Sequence, residues 1–127
     1  MRTTVATASA PAAIGPYSQA VVDGGRLHAS GQIPLDPATG ELAGESTAQQ
    51  AHQVMRNLAA VLEAARCSWD DVIKTTIYLV DLDDFSEVNA IYGGYLREPY
   101  PARTTIQVAA LPRGARIEIE LVARTAE

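Results

Sequence analysis

Apolar residues recur at helical spacing between residues 46 and 66 and predict the longest regular element of the chain. Their period of about 3.6 residues places them on one face of an amphipathic helix. Ser46 and Gln49 stand at the spacing of a capping box, which marks the start of that helix. The apolar positions are Ala51, Val54, Met55, Leu58, Val61, Leu62 and Ala65. A shorter apolar stripe that begins at Phe85 predicts a second helix over residues 84–96.

Stretches of alternating or β-branched residues predict five strands around these helices. The first two, residues 17–22 and 26–30, are separated by Asp23, Gly24 and Gly25, whose glycines tolerate the positive φ of a tight hairpin. The other three strands are predicted over residues 72–80, 103–108 and 116–123. The order β-β-α-β-α-β-β indicates an α+β fold with one sheet and both helices packed on one face of it.

The last two strands each alternate an apolar with a polar set of side chains. The apolar sets are Thr104, Ile106 and Val108, then Ile117, Ile119 and Leu121. Side chains two positions apart share a face, so these sets are expected beneath the helices. The open face would then carry Arg103, Thr105, Gln107, Glu118 and Glu120. An antiparallel sheet can expose such a face to water or use it for subunit packing and ligand capture.

Length and composition fit an ordinary globular protein. The 127 residues, of which 47% are hydrophobic and 20% charged, predict a single domain over residues 1–127. No apolar run approaches the roughly 18–20 residues of a membrane span. The N-terminus lacks a secretory signal, and the single cysteine, Cys67, cannot form an internal disulfide. The expected location is therefore the reducing cytoplasm.

The charge balance argues against nucleic acid and anionic lipid as partners. A net charge of −5 and a pI of about 4.9 provide no attractive field for phosphate backbones. A local basic cleft could still capture a small anion, because net charge does not describe the potential inside one pocket.

Several catalytic chemistries lack their usual signatures. His28, His52 and Cys67 are isolated, and no zinc-type ligand spacing occurs. There is no phosphate-binding glycine loop and no Gly-x-Ser-x-Gly turn. The sequence therefore predicts neither a metal site nor a nucleotide or acyl-enzyme mechanism.

Four segments together closely resemble the RidA/YjgF family, the reactive intermediate deaminases. They are Ala-Ile-Gly-Pro-Tyr-Ser-Gln-Ala at 13–20, Ser-Gly-Gln-Ile-Pro at 30–34, Pro-Ala-Arg-Thr-Thr at 101–105, and Leu-Pro-Arg-Gly at 111–114 leading to Ile-Glu-Ile-Glu at 117–120. Each motif alone is weak. Four in order at the family's spacing are highly specific, and the resemblance extends from about residue 10 to residue 124.

The resemblance implies a chorismate-mutase-like fold that assembles as a homotrimer, with three clefts where neighbouring subunits meet. The implied activity is hydrolysis of 2-imino acids, such as 2-iminopropanoate and 2-iminobutanoate, to 2-keto acids and ammonia, without a metal or organic cofactor. Pyridoxal-phosphate dehydratases release the enamines from which such imines form. Arg103 occupies the position of the family's substrate-carboxylate arginine, which indicates the archetypal RidA subgroup.

Five residues match positions that the family uses at its cleft. They are Tyr17, Ser30, Gly31, Arg103 and Glu118. The resemblance implies that Arg103 binds the substrate carboxylate and Glu118 is the catalytic acid and base. Thr105 stands where the family's deaminases often carry Cys, so only its backbone N–H is expected to bind substrate. Asn89 also matches a typical position and is interpreted as structural.

The residues alone leave other interpretations open. Arg103 at a strand start is by default a solvated ion-pair partner, and Glu118 could be one of two solvated glutamates beside Glu120. Tyr17 could be a half-buried aromatic, and Ser30 could simply close a strand through its backbone.

Two further matters stay open on sequence. Arg66 stands where the family typically has Gly after the first helix, so either the helix terminates differently or Arg66 adopts a left-handed conformation. A non-catalytic module that senses 2-keto acids or similar carboxylates is the main rival function. A ribonuclease or translation inhibitor is a weaker one, disfavoured by the acidic charge.

Overall fold

The computed structural model describes residues 2–126 as a six-stranded sheet with two helices on one of its faces. The elements are β1 (Thr3–Val5), β2 (Ala20–Asp23), β3 (Arg26–Gln32), α1 (Thr47–Ala64), β4 (Val72–Leu79), α2 (Phe85–Gly93), β5 (Ala102–Gln107) and β6 (Ile117–Arg124). The sheet order is β1-β2-β3-β6-β4-β5, and only the β4–β5 pair is parallel. Neither helix is long and apolar enough to cross a membrane.

Local hydrogen bonds and backbone geometry define both ends of helix α1. The Ser46 hydroxyl accepts a hydrogen bond from the Gln49 N–H, and the Gln49 side chain accepts one from the Ser46 N–H, which completes the predicted capping box. At the other end Arg66 has a φ of 61°. Of the two alternatives, the left-handed conformation is therefore the one adopted, at a cost of roughly 1–2 kcal/mol for a residue other than glycine.

The predicted hairpin is confirmed. Gly24 and Gly25 have φ values of 59° and 77°, and Asp23 pairs with Arg26 across the two-residue turn. Positive φ at both central positions matches the right-handed twist of the flanking strands. On its other side β3 pairs antiparallel with β6, and this pairing brings Gly31 against Glu118.

The N-terminal strand β1 was missed because three residues are too few to show a period. It pairs antiparallel with β2, from Thr3 opposite Val22 to Val5 opposite Ala20. The buried Gln19 amide stabilises the segment that follows: it accepts from the Thr7 N–H at 2.6 Å and donates to the Pro11 carbonyl at 2.7 Å. Gln19 therefore anchors this segment instead of continuing the strand, and β2 begins only at Ala20.

The core lies between α1 and the central strands. The predicted apolar stripe of α1 packs against side chains of β3, β4 and β6, including Leu27, Ile77, Ile117 and Ile119. All four are at most 1% exposed. The side-chain alternation of β6 is therefore as predicted, with Glu118 and Glu120 on the face away from the helices.

The predicted orientation of β5 is wrong. Arg103 lies opposite Thr75 and Thr105 opposite Ile77 in the parallel ladder, and both β4 residues are buried beneath the helices. Arg103, Thr105 and Gln107 therefore share the helix side of the sheet, whereas Thr104 and Ile106 share the open face with Glu118 and Glu120. β5 is an edge strand, so its more apolar face need not be the buried one, and Ile106 is 41% exposed.

Candidate active site

The Arg103 guanidinium is held in place by three side chains of α2. Its Nη1 donates to Asn89 Oδ1 at 2.6 Å, and its Cζ lies 5.3 Å from the ring centroids of both Phe85 and Tyr92. The Tyr92 hydroxyl is in turn hydrogen-bonded to Thr75 Oγ1 at 2.7 Å in the core. Because a guanidinium has five N–H donors, this arrangement fixes its plane and leaves donors for an anionic ligand.

Arg103 faces a cavity at the sheet edge. The cavity has a volume of about 440 Å³ and is lined by Asn89, Tyr92, Gly93, Tyr100, Pro101 and Arg103. Its walls are mostly apolar, with a fixed cation on one side. Such a combination can bind a small organic molecule that carries a carboxylate.

Glu118 lies on the opposite face of the sheet, against the backbone of Gly31. The β3–β6 pairing shifts register between Ala29 and Gln32, which brings Gly31 close to β6. A Cβ at Gly31 would overlap Glu118 Oε2, so only glycine leaves room for this carboxyl. Burial, and to a smaller extent the charge of Glu120, raise the pKa of Glu118. The protonated form is therefore more accessible than in a solvated glutamate.

The neighbouring Glu120 is differently placed. It is exposed and accepts a hydrogen bond from the Tyr78 hydroxyl at 2.7 Å. That hydrogen bond raises the pKa of Tyr78. The two glutamates are thus distinguished by burial and by hydrogen bonding, since Glu118 is the more buried and Glu120 is bonded to Tyr78.

Ser30 and Tyr17 lie near Gly31 along the chain and in the sheet. The Ser30 hydroxyl donates to the Ser18 carbonyl at 2.6 Å, so its proton is already used and its oxygen can only accept. Tyr17 is 54% exposed at the rim of a second cavity of about 480 Å³, which is lined by the N-terminal segment, Ser18 and Gln19. Within one chain Tyr17 is a surface aromatic rather than a pocket wall around Glu118.

The six predicted site residues therefore form two groups in one chain. Arg103 and Thr105 lie at the β5 edge on the helix side, and the Thr105 hydroxyl oxygen is buried with no hydrogen-bond partner among residues 2–126. Glu118, Gly31, Ser30 and Tyr17 belong to the β2–β3–β6 side. The sheet itself separates the guanidinium from the carboxyl.

Sequence reasoning gave Asn89 a structural role but did not connect Phe85, Asn89 and Tyr92 with the positioning of Arg103. A signal was present, because Phe85, Asn89 and Tyr92 follow one another at intervals of four and three, which places them on one helix face. In the sequence, Phe85 and Tyr92 were assigned only to the apolar side of the second helix. The structure shows that it also orients a cation.

Comparison with known proteins shows the family of this chain. Residues 7–125 match a family model described as Endoribonuclease L-PSP. A human protein named 2-iminobutanoate/2-iminopropanoate deaminase is 49% identical over 123 residues, 97% of this chain and 90% of that protein. The chain belongs to the RidA/YjgF family. The resemblance drawn from the four motifs is thereby confirmed.

Solved RidA/YjgF structures share the fold across the whole chain. RidA from an Antarctic Psychrobacter superposes with a TM-score of 0.93 at 48% identity, covering 96% of this chain and 98% of that one. Escherichia coli TdcF, solved with bound serine, superposes with a TM-score of 0.93 at 39% identity, covering 98% and 99%. The predicted α+β fold class is therefore confirmed for this RidA/YjgF protein.

Proposed function

We propose that this RidA/YjgF protein is a 2-iminobutanoate/2-iminopropanoate deaminase, which hydrolyses short 2-imino acids to 2-keto acids and ammonia. The similarity to the human deaminase of that name supports the activity. The observation that carries the proposal is the fixed Arg103 guanidinium beside an apolar cavity. A planar cation in that setting selects a small substrate with a carboxylate.

Hydrolysis of the imine requires water at the imine carbon and a proton on the departing nitrogen. Arg103 binds the substrate carboxylate through its free N–H donors, assisted by the backbone N–H groups of Thr105 and Gly31. Water adds to the C=N carbon, the nitrogen takes up protons, and the C–N bond breaks to release ammonia and the 2-keto acid. Every atom comes from substrate and water, so the reaction needs no cofactor.

Glu118 serves as the acid and base of this reaction. Its carboxylate takes a proton from the attacking water and returns one to the nitrogen. Burial raises the pKa of Glu118, which favours the return step near neutral pH. In the assembled protein Tyr17 closes the pocket, and the Ser30 oxygen accepts a hydrogen bond from the imine N–H and so orients the imine.

We place each site between two subunits of a homotrimer, because one chain holds Arg103 and Glu118 on opposite faces of its sheet. The β5 edge of one subunit then meets the β3–β6 face of the next, and three such head-to-tail contacts close a ring. Apolar side chains at the surface support this packing, since Ile14 is 81% and Ile106 is 41% exposed.

The lone Cys67 supports a reducing cytoplasm as the location of the protein.

The protein is expected to sediment as a trimer at micromolar concentration. A single species of three chains in analytical ultracentrifugation supports the shared cleft. A monomer at that concentration would remove the cleft and the mechanism built on it.

Sharing of the site between subunits predicts complementation of two inactive variants. Random trimers of co-expressed Arg103→Ala and Glu118→Gln chains contain a site with both native residues at about one quarter of interfaces. The mixture should therefore regain roughly that fraction of wild-type kcat, whereas each variant alone stays inactive. Absence of any recovery in verified mixed trimers would show that both residues act within one chain.

Gly31→Ala is expected to lower kcat by about a hundredfold while the trimer persists, because a misplacement of about 1 Å can cost that much. The new methyl group displaces the flexible end of Glu118 rather than backbone. Steady-state kinetics measure the loss. If Gly31→Ala lowers kcat by displacing Glu118, adding it to Glu118→Gln should cause little further loss of kcat. A full additional loss of kcat would assign Gly31 another role.

Binding of small carboxylates without turnover is the second candidate function. The crystal structure of TdcF holds bound serine, an amino acid whose carboxylate is the kind of group that Arg103 could hold here. Saturable binding of 2-oxobutanoate together with no loss of imine in a coupled assay would favour this alternative. Endoribonuclease activity is not proposed, because a net charge of −5 repels a phosphate backbone.

A further inference from the structure

We propose that Asp84 is a positioning residue for Arg103: its carboxylate fixes the start of α2, and α2 in turn orients the guanidinium. This inference rests on the proposed function and extends it to a residue that does not line the cavity beside Arg103. Asp84 immediately precedes Phe85, whose ring centroid lies 5.3 Å from the Arg103 Cζ. A displacement of the first turn of α2 would therefore move a side chain that contacts the cation.

Three side chains form a closed hydrogen-bonded network at the start of α2. Asp84 Oδ2 accepts from the Thr47 hydroxyl at 2.7 Å and from Arg116 Nη2 at 3.2 Å. Arg116 Nε donates to the same Thr47 hydroxyl oxygen at 2.6 Å. Thr47 is the first residue of α1 and Arg116 directly precedes β6, so the network joins the start of α2 to both of these elements.

Asp84 stands at the position of a helix cap but does not act as one. It is the N-cap residue of α2, where an aspartate side chain normally accepts a hydrogen bond from an N–H of the first turn. Among the described residues 2–126 no such bond forms, and the carboxylate binds Thr47 and Arg116 instead. The ion pair is partly buried, since the Arg116 side chain is 40% and the Asp84 side chain 25% exposed. The carboxylate therefore holds α2 against α1 and β6 instead of capping its own helix.

Apolar packing alone fixes α2 weakly. Of its nine residues, all of which the structure describes, Val88 and Tyr92 are the buried ones. A helix this short has little stability of its own, so its position depends on contacts with the rest of the chain. The Tyr92 hydroxyl is anchored in the core near the far end, and the Leu82 N–H before α2 is bonded to the Gln107 side chain of β5. Asp84 supplies the link from the first turn of α2 to α1 and β6.

Binding of 2-oxobutanoate to the trimer measures the effect without requiring turnover. Asp84→Ala should raise the Kd by about tenfold or more, because a displaced guanidinium loses about one charged hydrogen bond to the carboxylate. Asp84→Asn keeps an acceptor for Thr47 but loses the charge that faces Arg116, so it should raise the Kd by a smaller factor. Asp83→Ala is the matched control: it removes an exposed carboxylate from the same turn and should leave the Kd unchanged.

A double-mutant cycle separates positioning from a general loss of structure. If Asp84 acts through Arg103, the double variant Arg103→Ala/Asp84→Ala should bind 2-oxobutanoate no more weakly than Arg103→Ala alone. A damaged fold would instead weaken binding further in the double variant. An unchanged Kd in both Asp84 variants, or full additivity with Arg103→Ala, would overturn the positioning role.

Mixed trimers assign the effect to one half of the site. In the complementing pair, the Glu118→Gln chain supplies Arg103 and the Arg103→Ala chain supplies Glu118. Asp84→Ala in the chain that supplies Arg103 should lower the recovered kcat/KM by about tenfold or more, because small displacements of a binding group are costly. In the chain that supplies Glu118 it should have little effect, since the Arg116 backbone N–H is held separately by the Gln50 side chain. Equal losses from the two placements would contradict the proposal.

The outcomes for Asp84 and for the deaminase function are distinguishable. A protein without turnover that binds 2-oxobutanoate more weakly in Asp84→Ala retains the positioning role and loses the function. A protein that hydrolyses 2-iminopropanoate and loses binding in Arg103→Ala but not in Asp84→Ala retains the function and loses the positioning role. If neither substitution weakens binding, the carboxylate site at Arg103 and the role of Asp84 fail together.

Discussion

Arg103→Ala should lower kcat/KM for 2-iminopropanoate by about a hundredfold or more, because each charged hydrogen bond contributes roughly 1.5–3 kcal/mol and a bidentate clamp has two. At about 1.4 kcal/mol per tenfold change in rate, losing both hydrogen bonds accounts for a decrease of about a hundredfold or more. Arg103→Lys keeps the charge but lacks the planar fork, so we expect an intermediate but still severe loss. Steady-state kinetics with imine generated in situ measure both variants.

The fold should tolerate both substitutions, because Arg103 is exposed at the sheet edge in one chain. Arg97→Ala is the matched control: it removes an exposed arginine that is ion-paired with Asp70 on the surface and should leave the kinetics unchanged. If Arg103→Ala forms a trimer and retains activity within a fewfold of wild type, the carboxylate is bound elsewhere.

Glu118→Gln should lower kcat by about a hundred- to ten-thousandfold, the usual range for loss of general acid–base catalysis. Binding of a product 2-keto acid should persist, since Arg103 is intact. Glu120→Gln removes a carboxylate of the same strand face that is exposed and bonded to Tyr78, so it should have a much smaller effect. Equal losses in the two variants would contradict the assignment of Glu118.

The interaction between Glu118 and Glu120 also predicts a shift in the pH dependence of the rate. Glu120 raises the pKa of Glu118, so removing its charge should lower that pKa. The limb of the pH–rate profile that reports Glu118 should therefore move to lower pH in Glu120→Gln, whichever protonation state is the active one. A limb that stays in place would mean that a group other than Glu118 titrates there.

The regular elements were predictable because local chemistry decides them. The stripe and capping box of α1, the Gly24–Gly25 turn and the alternation of β6 each rest on contacts within one element or one hairpin. The motif residues Arg103 and Glu118 could also be selected from the sequence. They were selected through their resemblance to a family rather than through any feature of the isolated strands.

The orientation of β5 could not be predicted from its own residues. Alternation shows which residues share a face but not which face is buried, and an edge strand need not bury its more apolar side. Ile106 therefore lies on the open face, and Arg103 lies against α2 instead of beside Glu118. This difference moves Arg103 from the face of the sheet that carries Glu118, where alternation placed it, to the opposite face.

The most direct test of the central claim is the rate at which the wild-type protein removes 2-iminobutanoate made in situ by a pyridoxal-phosphate threonine dehydratase. Semicarbazide present from the start traps any imine that remains free. We predict that the protein accelerates formation of 2-oxobutanoate and ammonia and suppresses the semicarbazone in proportion to its concentration, while Arg103→Ala at the same concentration does neither. Saturable binding of 2-oxobutanoate with unchanged semicarbazone formation would contradict the account and leave a carboxylate-binding protein in its place.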